Sequence, residues 1–253
     1  MPTSDDAVLV VEFTGLASEM SFEAAFPSGS GTPVIRVDPL VGVAGDGPVD
    51  VAAHARAVAH GHAGGGPYRA VVANCNGAPF AVHLAAALAA EGVPPGAVVL
   101  VDPLAVTGED LSGTVADLLA GLGAATEVPT GLFGAGEPGR LFAAATVFLR
   151  AAVAERLGDV LEEDEDPGLV ADSLVGRYAT WIALLTGNLG ARRPALGIPV
   201  QVLHTHGRDD LGFVVDARAG VTRLPVSEGV RDADAPLAHP GTVEVLRRAV
   251  GGH

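Results

Sequence analysis

The 253-residue chain contains no lysine and only one cysteine, one tryptophan and two methionines. A single cysteine excludes an internal disulfide and a multi-cysteine zinc site, and it is typical of a reducing compartment. No run of eighteen apolar residues is present, and residues 1–6 are polar and acidic, unlike a secretion signal. We therefore expect a soluble, cytoplasmic protein with no membrane partner.

Positive charge is also scarce, because 15 basic residues face 30 acidic ones and the net charge is -15 at pH 7. Proteins bind nucleic acids through basic surfaces that replace the counterions of the phosphates. Nucleic acid is therefore excluded as a partner. The densest acidic run, residues 162–166, predicts a solvated helix end or loop.

Hydrophobic residues make up 49% of the chain, which is enough to bury the core of one domain spanning residues 1–253. Short apolar segments rich in β-formers alternate with helical segments, a pattern that predicts an α/β fold with a mostly parallel central sheet and helices on both faces. The predicted strands are residues 7–13, 33–37, 70–73, 97–101 and 200–204, and the predicted helices are residues 51–62, 78–91 and 242–250.

Residues 104–196 are too many for a simple crossover connection between two strands. They contain helical periodicity of their own, at residues 141–161 and 167–189. Open parallel sheets bind their ligands at the carboxyl ends of the strands. We therefore predict that residues 104–196 form a helical lid inserted at that edge of the sheet.

The one cysteine lies between a predicted strand and a predicted helix, in the sequence Val-Val-Ala-Asn-Cys-Asn-Gly that ends at Gly77. This order predicts a nucleophile elbow with Cys75 as the nucleophile and with the small residues Ala73 and Gly77 at its outer positions. A helix N-terminus next to the thiol favours the thiolate. The alternative is a buried structural cysteine at the end of a strand.

A catalytic cysteine in this fold needs a base and an acid, which follow it in the order nucleophile, acid, base. His239 lies just before the last predicted helix and is the candidate base. Asp102, at the end of the predicted strand 97–101, is one candidate acid, and Asp209 or Asp210, after the last predicted strand, is the other. The residues alone leave both positions for the acid open.

An acyl-transfer site also needs donors for the developing oxyanion. The backbone N–H of Asn76, directly after the candidate nucleophile, is one predicted donor. The loop after the first strand supplies the other in this fold, and Thr14 is the predicted residue there, with Gly15 allowing a close approach.

His204 and His206, together with Asp209 and Asp210, suggest a zinc site because alternating histidines on a strand can bind zinc. Nothing else in the sequence completes such a site. We therefore predict neither a metal nor a cofactor.

Residues 68–107 resemble the corresponding part of polyketide-synthase thioesterase domains: a strand, a nucleophile elbow, a helix, a turn at Pro94-Pro95-Gly96, and an apolar strand ending in aspartate. Residues 177–205 are also similar to those domains. The resemblance implies an α/β-hydrolase fold. In that family the catalytic acid follows this strand, so the resemblance favours Asp102 over Asp209 and Asp210.

A cysteine nucleophile in a chain of one domain's length resembles the small stand-alone Dieckmann cyclases of actinomycete polyketide–nonribosomal peptide pathways. The resemblance implies a triad of Cys75, His239 and Asp102. It also implies that a β-ketoacyl-aminoacyl chain is released from a peptidyl or acyl carrier protein, where phosphopantetheine holds it, as a tetramic acid or pyridone ring. Arg192 and Arg193 are candidates for docking the acidic carrier.

Three other functions are compatible with the same residues. A hydrolytic thioesterase releases the free acid, and an acyl shuttle passes the chain to a second carrier protein. A non-catalytic binding module built on a decayed elbow is the third.

Overall fold

Six parallel strands form the central sheet of the computed structural model, in the order β2-β1-β3-β4-β6-β8. The strands are β1 (Val8–Val11), β2 (Val34–Val37), β3 (Ala70–Asn74), β4 (Ala97–Val101), β6 (Val200–Leu203) and β8 (Val221–Leu224), while β5 (Ala195–Leu196) and β7 (Asp216–Ala217) pair separately. The structure describes residues 7–14, 21–27, 31–124, 127–134, 136–158, 166–204, 216–217, 220–224 and 237–251. Every strand pair in this description is parallel, so the predicted α/β class is confirmed.

Two compact units make up the chain. The first, which contains the six-stranded sheet, consists of Met1–Pro39, Val51–Ala105 and Arg192–His253, and the second consists of Leu40–Asp50 and Val106–Ala191. No helix among the described residues is long and apolar enough to cross a membrane.

The sheet is stable because both faces of its inner strands are buried, as parallel sheets require. β1, β3 and β4 are buried along their whole length, and each is built almost entirely from valine, leucine and alanine. Alternate residues of these strands form one cluster with residues of the last helix, α6 (Pro240–Gly251). The other two described α-helices of this unit are α1 (Val51–His62) and α2 (Ala78–Ala90). α2 is apolar on nearly all sides and almost fully buried.

The order of the strands creates a topological switch point between β1 and β3. From β1 the chain crosses to β2 on one side, and it then returns to β3 and proceeds through β4, β6 and β8 on the other. The connections therefore diverge on the two sides of the β1–β3 pair. Open α/β sheets bind their ligands outside the carboxyl ends of the strands at such a switch point.

The second unit is built from three helices, α3 (Gly108–Gly121), α4 (Pro138–Gly158) and α5 (Pro167–Gly190). Their apolar faces form a separate buried cluster. Thr107 caps α3, since its side chain accepts the N–H of Asp110 while the Asp110 carboxylate accepts the N–H of Thr107. α5 packs closely on the backbone of residue 49, because a Cβ added at Gly187 lies 2.2 Å from the Val49 carbonyl oxygen.

The predicted strands and helices agree with the structure to within a few residues at each end. α1 and β4 have the predicted bounds, and helices follow at both predicted helical segments of residues 104–196. The sequence interpretation missed α3, β5, β7 and β8. The lid role of residues 104–196 stays a prediction.

Candidate active site

Cys75 directly follows β3, the strand on one side of the switch point, and begins a short 3-10 turn, Cys75–Gly77, that leads into α2. Its φ is 45°, in the left-handed region that residues with a side chain rarely adopt. Such backbone strain is concentrated at functional sites and is held there by the surrounding structure. The residue is half-buried. A strained turn between a strand and a helix is the backbone geometry that the predicted nucleophile elbow needs, and the nucleophilic role of Cys75 stays a prediction.

Small residues, Ala73 and Gly77, stand at the two outer positions of the turn, as predicted. Ala73 is fully buried in β3. A Cβ added at Gly77 lies 3.6 Å from a methyl of Val11 and 3.7 Å from the ring of Phe13, which is ordinary contact distance. A methyl group at position 77 would therefore meet its neighbours without a clash, and Phe13, in the chain after β1, lies close to this position.

Asp102 occupies the equivalent place on the next strand. Asn74 at the end of β3 is the register partner of Val101 at the end of β4, so Cys75 and Asp102 follow in adjacent positions. The φ of Asp102 is 42°, and these two are the only non-glycine residues with positive φ in the described part of the chain. The N–H of Leu104 donates to the carbonyl of Cys75 at 3.3 Å, which joins the loop after Asp102 to the elbow.

His239 lies immediately before α6 and is half-buried. Its Nδ1 accepts the N–H of Gly241 at 3.1 Å, and its carbonyl accepts the N–H of Val243 at 3.0 Å, so the residue caps the helix. Because Nδ1 is an acceptor here, the proton of the neutral ring is on Nε2. A triad needs the opposite tautomer, with Nδ1–H donating to a carboxylate. The triad role of His239 therefore requires its ring to leave Gly241.

Thr14, the predicted second oxyanion donor, is exposed, and its N–H donates to a carboxylate oxygen of Asp38 at 3.2 Å. The Thr14 hydroxyl donates to the same oxygen. The oxyanion role of Thr14 stays a prediction, and it requires that the substrate replace Asp38. The N–H of Asn76, the other predicted donor, belongs to the 3-10 turn Cys75–Gly77, directly after the candidate nucleophile. Its oxyanion role also stays a prediction.

The competing candidates for the acid, Asp209 and Asp210, lie outside the described residues, as do His206 and Gly15. Among the residues that are described, no group of three histidine, cysteine or acidic side chains is placed to hold a metal ion.

The candidate docking residues, Arg192 and Arg193, are both exposed in the segment between α5 and β5. Their docking role stays a prediction.

His204 is a residue whose position the sequence interpretation did not connect with this site. It directly follows β6, the strand that pairs with β4, so it stands at the same edge of the sheet as Asp102. The sequence shows His204 as a histidine at the end of an apolar strand. Placing it beside Asp102 requires the strand order, in which β6 pairs with β4.

No protein-family model matches the chain, and no curated protein matches it in sequence. Solved structures do match in fold. The thioesterase domain of NocB, from the nocardicin cluster, is 20% identical with a TM-score of 0.50, and the match covers 99% of this chain and 95% of that domain. The Vlm2 thioesterase domain bound with a dodecadepsipeptide is 16% identical with a TM-score of 0.50, over 98% of this chain and 94% of that one.

A third match is AB3403, a four-domain nonribosomal peptide synthetase in its holo form bound to AMP and glycine, with a TM-score of 0.56 and 16% identity. It covers 97% of this chain and 19% of the synthetase. At these identities the likeness establishes the fold alone. The chain has the α/β-hydrolase fold of thioesterase domains, as the resemblance implied.

Proposed function

We propose that this protein is a cysteine-dependent Dieckmann cyclase that releases a β-ketoacyl-aminoacyl thioester from a carrier protein as a tetramic acid or pyridone ring. The observation that carries the proposal is the left-handed Cys75 at the carboxyl end of β3. The thioesterase-like fold supports acyl transfer from phosphopantetheine as the reaction class, and the sulfur nucleophile supports ring closure within that class.

Sulfur favours carbon–carbon closure for a chemical reason. A serine nucleophile converts the carrier thioester into an oxoester, which is less electrophilic toward a stabilised carbanion. Cysteine keeps the acyl group as a thioester, so the intermediate stays activated for attack by carbon. Attack by the tethered carbon then competes well against water, because the carbon nucleophile is held at a high effective concentration.

In the first step Cys75 attacks the aminoacyl carbonyl carbon of the carrier thioester. His239, once its ring has turned from Gly241, accepts the thiol proton, and Asp102 holds the imidazole. The bond from the carbonyl carbon to the pantetheine sulfur breaks, and His239 returns the proton to the departing thiol. The N–H groups of Asn76 and Thr14 stabilise the oxyanion.

In the second step a base takes the proton from the carbon between the ketone and the amide, and this carbon attacks the Cys75 thioester. A carbon–carbon bond forms and the carbon–sulfur bond to Cys75 breaks. The base then returns its proton to the Cys75 thiolate as the ring departs. The same two N–H groups serve this second tetrahedral intermediate.

The partner in this proposal is an acyl or peptidyl carrier protein with its phosphopantetheine arm. With a net charge of -15 the chain repels an acidic carrier at long range. The exposed pair Arg192 and Arg193 is the proposed local contact, and residues 104–196 are the proposed lid over the acyl chain.

The test uses the pantetheine thioester of N-acetoacetyl-alanine, which carries the acidic carbon and the aminoacyl thioester of the proposed substrate class. We expect the wild-type protein to form the cyclic tetramate, detected by mass and by ultraviolet absorbance, and intact-protein mass spectrometry to find the acyl group on Cys75. Cys75→Ala is the control that subtracts spontaneous cyclisation.

Other products identify the other functions. Free N-acetoacetyl-alanine as the main product indicates a hydrolytic thioesterase, and transfer to a second carrier protein without ring formation indicates an acyl shuttle. Equal product formation by the wild type and Cys75→Ala indicates a non-catalytic module. Each of these three results rejects the cyclase proposal.

A further inference from the structure

His204 stands at the sheet edge that carries the candidate site. It follows Leu203, the last residue of β6, which is the register partner of Val101 at the end of β4. The carbonyl of Leu203 accepts the N–H of Asp102 at 2.8 Å, so the ladder continues to this point. His204 therefore takes the position beside Asp102 on the side away from Cys75.

The ends of three adjacent strands thus present a cysteine, an aspartate and a histidine in a row. Neighbouring strands are about 4.8 Å apart, so the backbones of Cys75 and His204 are separated by about 10 Å. An acyl chain on the sulfur of Cys75 and the side chain of His204 are together long enough to bridge this distance, so the two can meet.

The imidazole of His204 is chemically unsatisfied. Both of its ring nitrogens are shielded from solvent, and neither has a hydrogen-bond partner among the residues that the structure describes. A neutral imidazole carries one donor and one acceptor, and leaving either unpaired away from water destabilises the fold. A buried polar group without a hydrogen-bond partner is unusual in a native structure, and a catalytic role is one explanation for it.

We propose that His204 is the base that removes the proton from the carbon between the ketone and the amide of the chain bound to Cys75. This inference rests on the cyclase function proposed above and assigns its second step. A substrate that reaches the ring has to part the atoms that now cover it. The ring nitrogens then gain hydrogen-bond partners from the substrate.

The electron and proton balance of the step is complete. The carbon–hydrogen bond breaks, the proton goes to the unprotonated ring nitrogen, and the electron pair is delocalised over the ketone and amide oxygens as an enolate. The enolate carbon then bonds to the thioester carbon while the carbon–sulfur bond breaks. The imidazolium proton neutralises the thiolate released on Cys75.

His204→Gln separates this step from acylation. With the pantetheine thioester of N-acetoacetyl-alanine, we expect the variant to acylate Cys75 within about 3-fold of the wild-type rate while ring formation falls about 100-fold or more. The acyl-enzyme should therefore accumulate in intact-protein mass spectra. The control is His60→Gln, which replaces a histidine on α1 whose side chain is 81% exposed.

Hydrogen–deuterium exchange tests the base directly. The probe is the amide analogue of the thioester, with nitrogen in place of sulfur, so that ring closure is blocked. In deuterated buffer we expect Cys75→Ala to accelerate exchange at the acidic carbon about 10-fold or more over buffer, and we expect the double variant Cys75→Ala/His204→Gln to exchange at the buffer rate. Equal exchange rates with the two proteins overturn the proposal.

Stability separates a catalytic histidine from a structural one. An unsatisfied imidazole replaced by leucine should raise the thermal midpoint, by about 2–4 °C for a chain of this size, while ring formation is lost. A lowered midpoint indicates a structural role and contradicts the proposal. If His204→Gln does not fold, His204→Leu is used in the acylation and exchange experiments.

The outcomes distinguish the two proposals. A wild-type protein that releases free acid rejects the cyclase function itself. A wild-type protein that forms the ring, with a His204→Gln variant that closes it at the wild-type rate or loses acylation to the same extent, rejects the role of His204 alone.

Discussion

Cys75 and Asp102 follow register partners on adjacent parallel strands, and both have left-handed backbones, with φ values of 45° and 42°. Each such residue costs about 1–3 kcal/mol of folding free energy unless its surroundings hold it in place. Two of them side by side concentrate backbone strain at the carboxyl ends of β3 and β4, and such strain is typical of functional sites.

We expect Cys75→Ser to lower the rate of ring formation on the order of 10²-fold and to raise the share of hydrolysed product. The physical reason is that an oxoester is a poorer acceptor for the carbon nucleophile, which gives water more time. Chromatography of the products from N-acetoacetyl-alanine pantetheine thioester measures both quantities. A serine variant with the wild-type product ratio shows that sulfur has no special role.

Asp102→Asn should lower acylation about 10²–10⁴-fold, because an amide cannot hold an imidazolium as a carboxylate does. Asparagine tolerates left-handed φ, so the free energy of unfolding should change by no more than about 1 kcal/mol. Asp102→Val is the matched variant for the backbone. Its branched Cβ should cost at least about 1–2 kcal/mol more than asparagine in urea unfolding.

Equal stability of the asparagine and valine variants contradicts the strain at Asp102. Normal acylation by Asp102→Asn excludes Asp102 as the acid and favours Asp209 or Asp210.

His239→Asn isolates the chemistry of His239 from its capping of α6. Asparagine is a good N-cap and can accept the N–H of Gly241, whereas His239→Ala loses the cap and about 1 kcal/mol of stability. Both variants should lose acylation about 10²–10⁴-fold, since neither has a base. Stopped acylation with folded His239→Asn supports His239 as the base for Cys75, and unchanged acylation removes it from the mechanism.

Two glycines of α5 should respond oppositely to alanine. The Cβ of Gly187→Ala meets the Val49 carbonyl oxygen at 2.2 Å, so we expect a loss of about 3 kcal/mol. Gly176 has open space around its Cβ position, and alanine there should add about 0.5–1 kcal/mol through helix propensity. Urea unfolding followed by circular dichroism measures both. Similar effects at the two positions contradict the packing of α5 on residue 49.

Tyr68 should make the protein sensitive to alkali. Its side chain is buried and its hydroxyl donates to the His62 carbonyl at 2.7 Å, and burial raises the pKa of Tyr68 above its ordinary value of 10.0. The unfolded chain therefore releases this proton first as the pH rises. The stabilisation that protonated Tyr68 contributes is fully present below the pKa of tyrosine in the unfolded chain. It is lost as the pH rises from there through the pKa of Tyr68 in the folded protein.

Urea midpoints measured between about pH 8 and pH 11 test this expectation. Tyr68→Phe should reduce the loss of stability between these pH values, because the variant lacks the titrating hydroxyl. The same alkaline slope in Tyr68→Phe and the wild type contradicts the assignment.

The sequence predicted the strands and helices that have a clear pattern of apolar residues. β1, β3 and β4 are valine-rich runs bounded by turn residues, and α1 begins and ends at the residues that its helical pattern predicts. α3 was missed because Gly108, Gly113 and Gly121 suggest a loop, although the capping box of Thr107 and Asp110 was readable. β8 was missed because its residues are mostly exposed, so no apolar run marks it.

The candidate site was predictable only in part, for a related reason. Cys75 is marked by its own neighbours in sequence, and the apolar strand that ends at Asp102 marks a candidate for the acid. His204 gains its meaning from the pairing of β6 with β4, two strands that the helices of the second unit separate in the chain. The bond from Gly241 to His239 and the contact of Thr14 with Asp38 depend on side-chain geometry that no spacing encodes.

Cys75 is also the only thiol that an alkylating reagent can find in this protein, and it is half-buried at the end of a strand. The number of reagent molecules bound per chain therefore reports on Cys75 alone, since no other thiol contributes. Under the proposed function, iodoacetamide trapping at timed intervals therefore measures substrate occupancy, since an acyl chain on Cys75 would block the reagent until the sulfur is released.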